Sequence, residues 1–336
     1  MTAPCAKATQ KRTGRSHLQA VLSLGVFITV PLWFLLRAAG AQEGDQEIVA
    51  NLAAGRVVIY VARDAVIVGA IQENIEPDSR APQVLPLGGS RVGVLLGAAE
   101  WVSPASGRPP VRLDRELPGL ASEAARPAPK ADSERAGDIE AIGVALLERL
   151  RGVTSQLHRR IDLKPDEPVV ELLVAGFEEG YGAEAWLLRY HLAQEPVRGD
   201  FWRTRVLRPS YTQLYPPEKG QPRTLLEVRY PEDIAAPKLL DLLQRDDPRL
   251  ARLRNSDPRM MRAAEHIEKG DTQKANPEDA SAFLRAALPI VAPENAQLVI
   301  GIVQRDRGFQ WILEPAEKPA ESKPREAGAP TLRKKP

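Results

Sequence analysis

The chain has 336 residues, 43% of them hydrophobic, enough to bury one large core or two smaller ones. Its 46 basic and 44 acidic side chains nearly cancel and are interspersed, which leaves no basic face for nucleic acid. The single cysteine, Cys5, precedes the apolar N-terminal segment, so a domain beginning after that segment has no disulfide, thiolate metal site or cysteine nucleophile.

Lys7, Lys11, Arg12 and Arg15 lead the sequence. Residues 18–36 (LQAVLSLGVFITVPLWFLL) then run without a charge, and Arg37 and the small residues of 38–41 follow. This is the layout of an export signal, with cleavage expected before Gln42. The uncharged stretch also just reaches the ~20 residues that span a bilayer, so an uncleaved anchor stays open. Under both readings the basic flank keeps the remaining chain outside the cytoplasm, and the membrane is touched only through residues 18–36. The expected organisation is a signal peptide or anchor over 1–41, a folded domain over 42–315, and a disordered Glu/Lys/Pro/Ala tail over 316–336.

Residues 56–62 (RVVIYVA) and 65–71 (AVIVGAI) are β-branched runs separated by Arg63 and Asp64, and predict a hairpin of two buried strands. A short apolar piece follows at 84–87, then a strand over 91–101 (RVGVLLGAAEW). Residues 103–137 turn to Pro, Ala, Ser and charge, which predicts an exposed insertion rather than a packed element. Ile139, Ile142, Leu146, Leu150, Val153 and Leu157 recur at spacings of three and four, so 138–160 reads as a helix laid on a core. Strands follow at 168–175 and 184–191. The segment 199–231 has extended ends, with the turn of a long hairpin expected at 216–220 (PPEKG). Residues 234–269 are helical with breaks at Pro248 and Pro258. Asn276 and Pro277 start another helix as cap and first-turn residue, and 298–304 with 309–313 predict a closing hairpin. Strands and helices in separate runs predict an α+β fold with antiparallel sheets.

Several strings in this order resemble the proteasome β-subunit type of N-terminal nucleophile hydrolase. VVIYVARDAVIVGAI looks like that family's first strand pair, and VGVLLGAAEW is similar to its strand ending in small residues and an acid, here Glu100. LLVAGFEEGYGAEAWLLRY looks like its central hairpin. DASAFLRAAL followed by QLVIGIVQRDRGFQWI resembles its last helix and closing hairpin. The resemblance covers residues 55–101, 138–192 and 277–314, and implies a four-layer αββα sandwich with antiparallel sheets. The long insertion at 103–137 and the large 199–270 segment depart from the family pattern.

The resemblance also locates the chemistry, and finds it missing. The family's nucleophile heads the first strand, where this chain has Gly55 and Arg56. No threonine occurs between Thr29 and Thr154, no serine between Ser23 and Ser79, and no lysine between Lys11 and Lys130, so nucleophile and base are both empty. The family's acidic position falls near Ile71. Independently, none of His17, His158, His191 and His266 lies at i,i+4 from another, so no zinc helix motif is present and no metal or cofactor is expected. Catalytic residues are therefore expected to be absent.

The segment 199–231 alone has unusual chemistry, with Trp202, Tyr211 and Tyr215 interleaved with Arg205, Arg208 and Arg223. Arginine forks and aromatic faces recur at binding sites. They also recur as cross-strand pairs on ordinary sheets. Three readings follow. The first is a non-catalytic proteasome-like module acting by protein binding or assembly, with a homo-oligomer implied by how that family associates. The second is a hydrolase of the same fold with a displaced nucleophile such as Ser79 or Ser90. The third is an envelope structural protein of unrelated fold.

Overall fold

The computed structural model describes residues 49–73, 80–102, 109–124, 138–155, 157, 166–178, 182–199 and 201–315. The expected export segment and tail lie outside the described residues, among which no helix is long and apolar enough to cross a membrane.

The chain begins with strands β1 (Val49–Ala53), β2 (Gly55–Ala62), β3 (Ala65–Gln72), β4 (Val84–Pro86), β5 (Arg91–Val102) and β6 (Val111–Arg112). Helices α1 (Leu113–Ala124) and α2 (Asp138–Thr154) follow. Strands β7 (Val170–Phe177), β8 (Ala183–Tyr190), β9 (Leu192–Arg198), β10 (Phe201–Val206), β11 (Ser210–Tyr215) and β12 (Leu226–Tyr230) come next. Helices α3 (Leu239–Gln244), α4 (Pro248–Ser256), α5 (Pro258–Glu268) and α6 (Pro277–Val291) precede the closing strands β13 (Leu298–Gln304) and β14 (Gly308–Leu313). This is an α+β fold with two main sheets, and every pairing between named strands is antiparallel. One sheet has the order β1-β5-β7-β8-β11, with β4 and β6 attached to β5, and the other has the order β12-β2-β3-β13-β14.

Side-chain alternation fixes how these sheets are covered. On β2 and β3, Val57, Ile59, Val61, Val66 and Val68 meet Val92, Val94, Leu96, Leu173 and Ala175 from β5 and β7. The intervening residues point the other way. Val58, Tyr60, Ile67 and Ile71 pack under α5 and α6 through Ala263, Ala264, Phe283 and Leu284. Leu95, Leu172, Val174 and Leu188 pack under α1 and α2 through Leu113, Leu117, Ile142 and Leu146. The central strands are thus apolar on both faces, which is why they read as unbroken β-branched runs.

The hairpins expected at 56–71, 168–191 and 298–313 are present, the first two observed over 55–72 and 170–190, as are the proline breaks in the 234–269 region. Each proline occupies the first helical turn behind an aspartate cap. Asp247 accepts the Arg249 amide proton, Asp257 that of Arg259, and Asn276 that of Glu278.

Two expectations are corrected. Residues 113–124, inside the supposed exposed insertion, form α1, and Leu113, Leu117 and Ala121 are buried against the outer core. Pro118 and Gly119 disguised the helix, because its stripe needs only those three apolar positions. Residues 103–108 and 125–137 lie outside the described residues. The hairpin turn expected at 216–220 is instead a crossing between sheets: β11 pairs with β8, while β12 pairs with β2. The helix expected over 138–160 is described to Thr154.

Leu117→Ala tests the packed role of α1. Truncation of a fully buried leucine is expected to cost roughly 2–5 kcal/mol in denaturant unfolding. A change near zero would restore the insertion as a loosely attached loop.

Candidate functional site

Strands β8 and β9 run back along β10 and β11 as one long hairpin, with Arg198 opposite Phe201 at its tip. Its base is the β8–β11 pair, from Arg189 opposite Ser210 to Ala185 opposite Tyr215. Its distal half is a separate two-stranded ribbon, β9 with β10, from Leu192 opposite Val206 to Arg198 opposite Phe201. Gly199, at φ +56, supplies the left-handed residue that the tight reversal requires.

The ribbon holds three of the six expected binding residues or places them beside it. Trp202 is half-buried on β10, and the exposed Arg205 pairs with Glu195 on β9. Arg208 is exposed in the connection to β11. Val197, Phe201 and Leu207 expose 57%, 59% and 46% of their surface here, three of the most exposed large apolar residues described. Arg198, Arg203 and Arg208 make no salt bridge among the described residues.

Tyr211 and Tyr215 leave the ribbon and part company. Tyr211 lies over α2 at Gly143, where a Cβ would come within 2.5 Å of its hydroxyl, so only glycine admits the ring. Burial and the nearby Glu140 push its phenol pKa up. Four residues on, Tyr215 would share that face, but a register shift between Gln213 and Tyr215 turns it into the layer between the sheets. The Arg223 guanidinium lies 5.9 Å from the Tyr215 ring centroid. Burial raises the Tyr215 pKa while Arg223 opposes the rise. The six residues therefore occupy three places rather than one surface.

Two clefts open at the hairpin base. One, of about 440 Å³, lies beside α2 and is lined by Glu140, Tyr211, Arg91 and Trp186. The other, of about 520 Å³, lies at the β2–β3 turn and is lined by Phe177, Tyr215, Arg223, Gln273 and Arg305 among others. Glu178, Glu184 and Trp186 belong to both. Glu184 is held by Arg91 at 2.8 Å and by the Trp186 indole N–H at 3.0 Å.

Gly55 and Arg56 lie at the opposite end of β2. Arg56 is 1% exposed. Its Nε pairs with Glu73, its Nη2 donates to the Val291 carbonyl at 2.6 Å, and its Nη1 donates to the Pro237 carbonyl at 3.4 Å. The Val291 carbonyl ends α6, where the helix dipole favours a cation. The chain continues from Gly55 back into β1, which pairs with β5. An acid does stand close to Ile71, but Glu73 is engaged by Arg56.

No protein-family model matches the chain, and no curated protein matches it.

Among the described residues no cluster of histidines, cysteines and carboxylates has the grouping of a metal site. His266 Nδ1 lies 2.8 Å from Asp271, and His191 is half-exposed between β8 and β9. Ser90 donates its hydroxyl to the Arg305 carbonyl at 3.2 Å, with no histidine or lysine bonded to it among the described residues, and Ser79 lies outside them. Sequence reasoning passed over Glu171, which is 3% exposed with Arg189 donating to one of its oxygens at 2.7 Å. Burial raises its pKa, and Arg189 opposes the rise. It looked like one polar residue in an apolar strand, and only its placement between the sheets reveals the perturbation.

The Glu171 carboxyl binds its proton more tightly folded than unfolded. Ionising it therefore removes stability as pH rises from the ordinary carboxylate range towards the raised folded value. Glu171→Gln is expected to be more favourable, relative to the parent, at pH 7 than at pH 4. Paired urea melts at the two pH values measure this, and an equal difference at both would remove the perturbation.

Proposed function

We propose that this protein is a non-catalytic, extracytoplasmic module of the proteasome-like αββα type that acts by protein binding or assembly. The observation that carries the reading is Arg56. Where the resemblance implies a nucleophile at a strand head, there is a buried guanidinium committed to Glu73 and two carbonyls, inside a chain that continues into β1. The four-layer assignment is supported by the stacking of α1 and α2, the β5–β7 sheet, the β2–β3 sheet, and α5 with α6. Location outside the cytoplasm rests on the basic and apolar layout of residues 7–41.

The binding half of the proposal rests on the exposed face of the β9–β10 ribbon, whose other face packs towards α2 through Val206. Val197, Phe201 and Leu207 face water, and two-stranded ribbons present strand edges that pair readily with another chain. A second copy of the chain is the first partner to test.

Intact-mass measurement of the full chain in mild detergent, after exposure to β-lactone, fluorophosphonate and epoxyketone probes, is expected to show no adduct. A single stoichiometric adduct lost on denaturation would overturn the non-catalytic reading. In sedimentation velocity, Phe201→Asp combined with Leu207→Asp is expected to weaken concentration-dependent association without lowering the unfolding temperature, because both residues are exposed. Identical sedimentation of variant and parent would remove the ribbon as the assembly surface.

A further inference from the structure

Six large apolar side chains are exposed among the described residues, and five of them lie on the long hairpin or on α2. Val197, Phe201 and Leu207 belong to the ribbon half and its connection to β11. Tyr211 belongs to the base half, and Val144 follows Glu140 by one turn on α2. Met261, on α5, is the exception. Exposed apolar residues scattered singly need no explanation, but a concentration of them marks a surface that another molecule covers.

The charges on the two halves differ in sign. From 195 to 208 the chain has four arginines against Glu195 and Asp200. Arg205 pairs with Glu195, while the exposed Arg198 and Arg203 make no salt bridge among the described residues. The cleft at the start of α2 is lined instead by Glu140, Glu178 and Glu184 against Arg91. Arg91 and Glu184 neutralise one another at 2.8 Å. Glu178 reaches the second cleft as well, so Glu140 is the acid that belongs to this one alone. Glu140 is exposed and makes no ion pair among the described residues. Burial and the field of Glu140 raise the Tyr211 pKa, which sets the acid beside that ring. The first turn of α2 adds only about half a positive charge, too little to reverse the sign.

An arginine suits such a cleft. Its fork pairs with a carboxylate while its plane stacks on an aromatic face, here Tyr211 or Trp186. The ribbon tip offers Arg198, with Val197 and Phe201 beside it. The tip of the same copy does not reach. Phe201 is ten residues before Tyr211 on the returning side of the hairpin, roughly 33 Å at ~3.3 Å per residue, and Val206 holds the ribbon against the outer core in between.

We propose that two copies of the chain associate about a two-fold axis with their hairpins antiparallel, the ribbon tip of each seated at the start of α2 of the other. Arg198 of one copy meets Glu140 and Tyr211 of the second, and Phe201 meets Val144. A single axis satisfies both contacts, because each copy gives and receives the same surface. The pairing rests on the ribbon being the assembly surface, and adds what the ribbon binds. Ribbon on ribbon would instead bring like charges together. A strip of this length and two strands wide is smaller than a standard interface, so the dimer is weak, about micromolar or weaker, and sensitive to salt.

Sedimentation velocity of the full chain in mild detergent tests the pairing with Glu140→Arg, Arg198→Glu, the two substitutions in one chain, and an equal mixture of the single variants. Each substitution enters the dimer twice, so each alone is expected to weaken association roughly tenfold or more. The mixture and the double variant should associate as the parent does, because both restore opposite charges at both contacts. Both positions are exposed, so unfolding temperatures should stay unchanged. Parental association of either single variant, a mixture and double variant that stay monomeric, or species that grow past the dimer with concentration would each overturn the pairing. If Phe201→Asp with Leu207→Asp weakens association but no charge exchange restores it, the ribbon remains the assembly surface and only this pairing falls. A parent chain that stays monomeric removes both.

Discussion

Strands β2, β3, β5 and β7 are buried along nearly their whole length, and that burial dictates the rest of the architecture. A sheet apolar on both faces must be covered on both. Each main sheet covers one face of the other, and helices cover what remains. The helix–sheet seams are dry, so polar groups within them need partners from the protein. Two tyrosines meet this need by tying helix backbone to sheet. Tyr60 donates to the Ala263 carbonyl at 2.9 Å, and Tyr190 donates to the Gly143 carbonyl at 3.0 Å. Burial raises the pKa of both phenols, which keeps the donating proton in place at any physiological pH.

Such an interior leaves little room for chemistry, so charge is confined to strand ends and to the sheet edge. The edge hairpin shows how this works. Its base is an ordinary part of the sheet, its far half is a separate two-stranded ribbon, and each pairing has one register shift, the one in the base falling between Gln213 and Tyr215. Without the shift, period-two alternation would leave Tyr211 and Tyr215 on the same face. With it, one strand sets Tyr211 over the outer helix and Tyr215 in the seam between the sheets. A local irregularity of this kind creates concavity at the margin of a sheet whose centre is filled.

The core was the legible part of the sequence. Runs such as VVIYVA and VIVGAI have few other places to go, and the Asp-Pro and Asn-Pro pairs announce helix starts through capping chemistry. The errors have physical causes. In 113–124, a proline and a glycine masked a helix that needs only Leu113, Leu117 and Ala121 to dock. In 199–231, a Pro-Pro-Glu-Lys-Gly string is a good turn by local rules, but tertiary pairing sends its two sides to different sheets. The expected binding residues were chemically apt but were grouped by proximity in sequence. A bulge and a crossing, neither of which leaves a clear compositional trace, spread them over three places.

Arg56 shows why absent catalysis would be a property of the architecture and not of one residue. A threonine at that position would remove the guanidinium and break the buried Arg56–Glu73 pair, a change that costs on the order of 3–5 kcal/mol in buried pairs. It would also expose the terminal carbonyl of α6, which Arg56 now satisfies. The new hydroxyl would have no free α-amine of its own as base, because the preceding residues form β1 and pair with β5. Several coupled changes would be needed before a nucleophile could act there. The same coupling makes Arg56 a stabilising element: one side chain joins the head of β2, the loop after β3 and the end of α6.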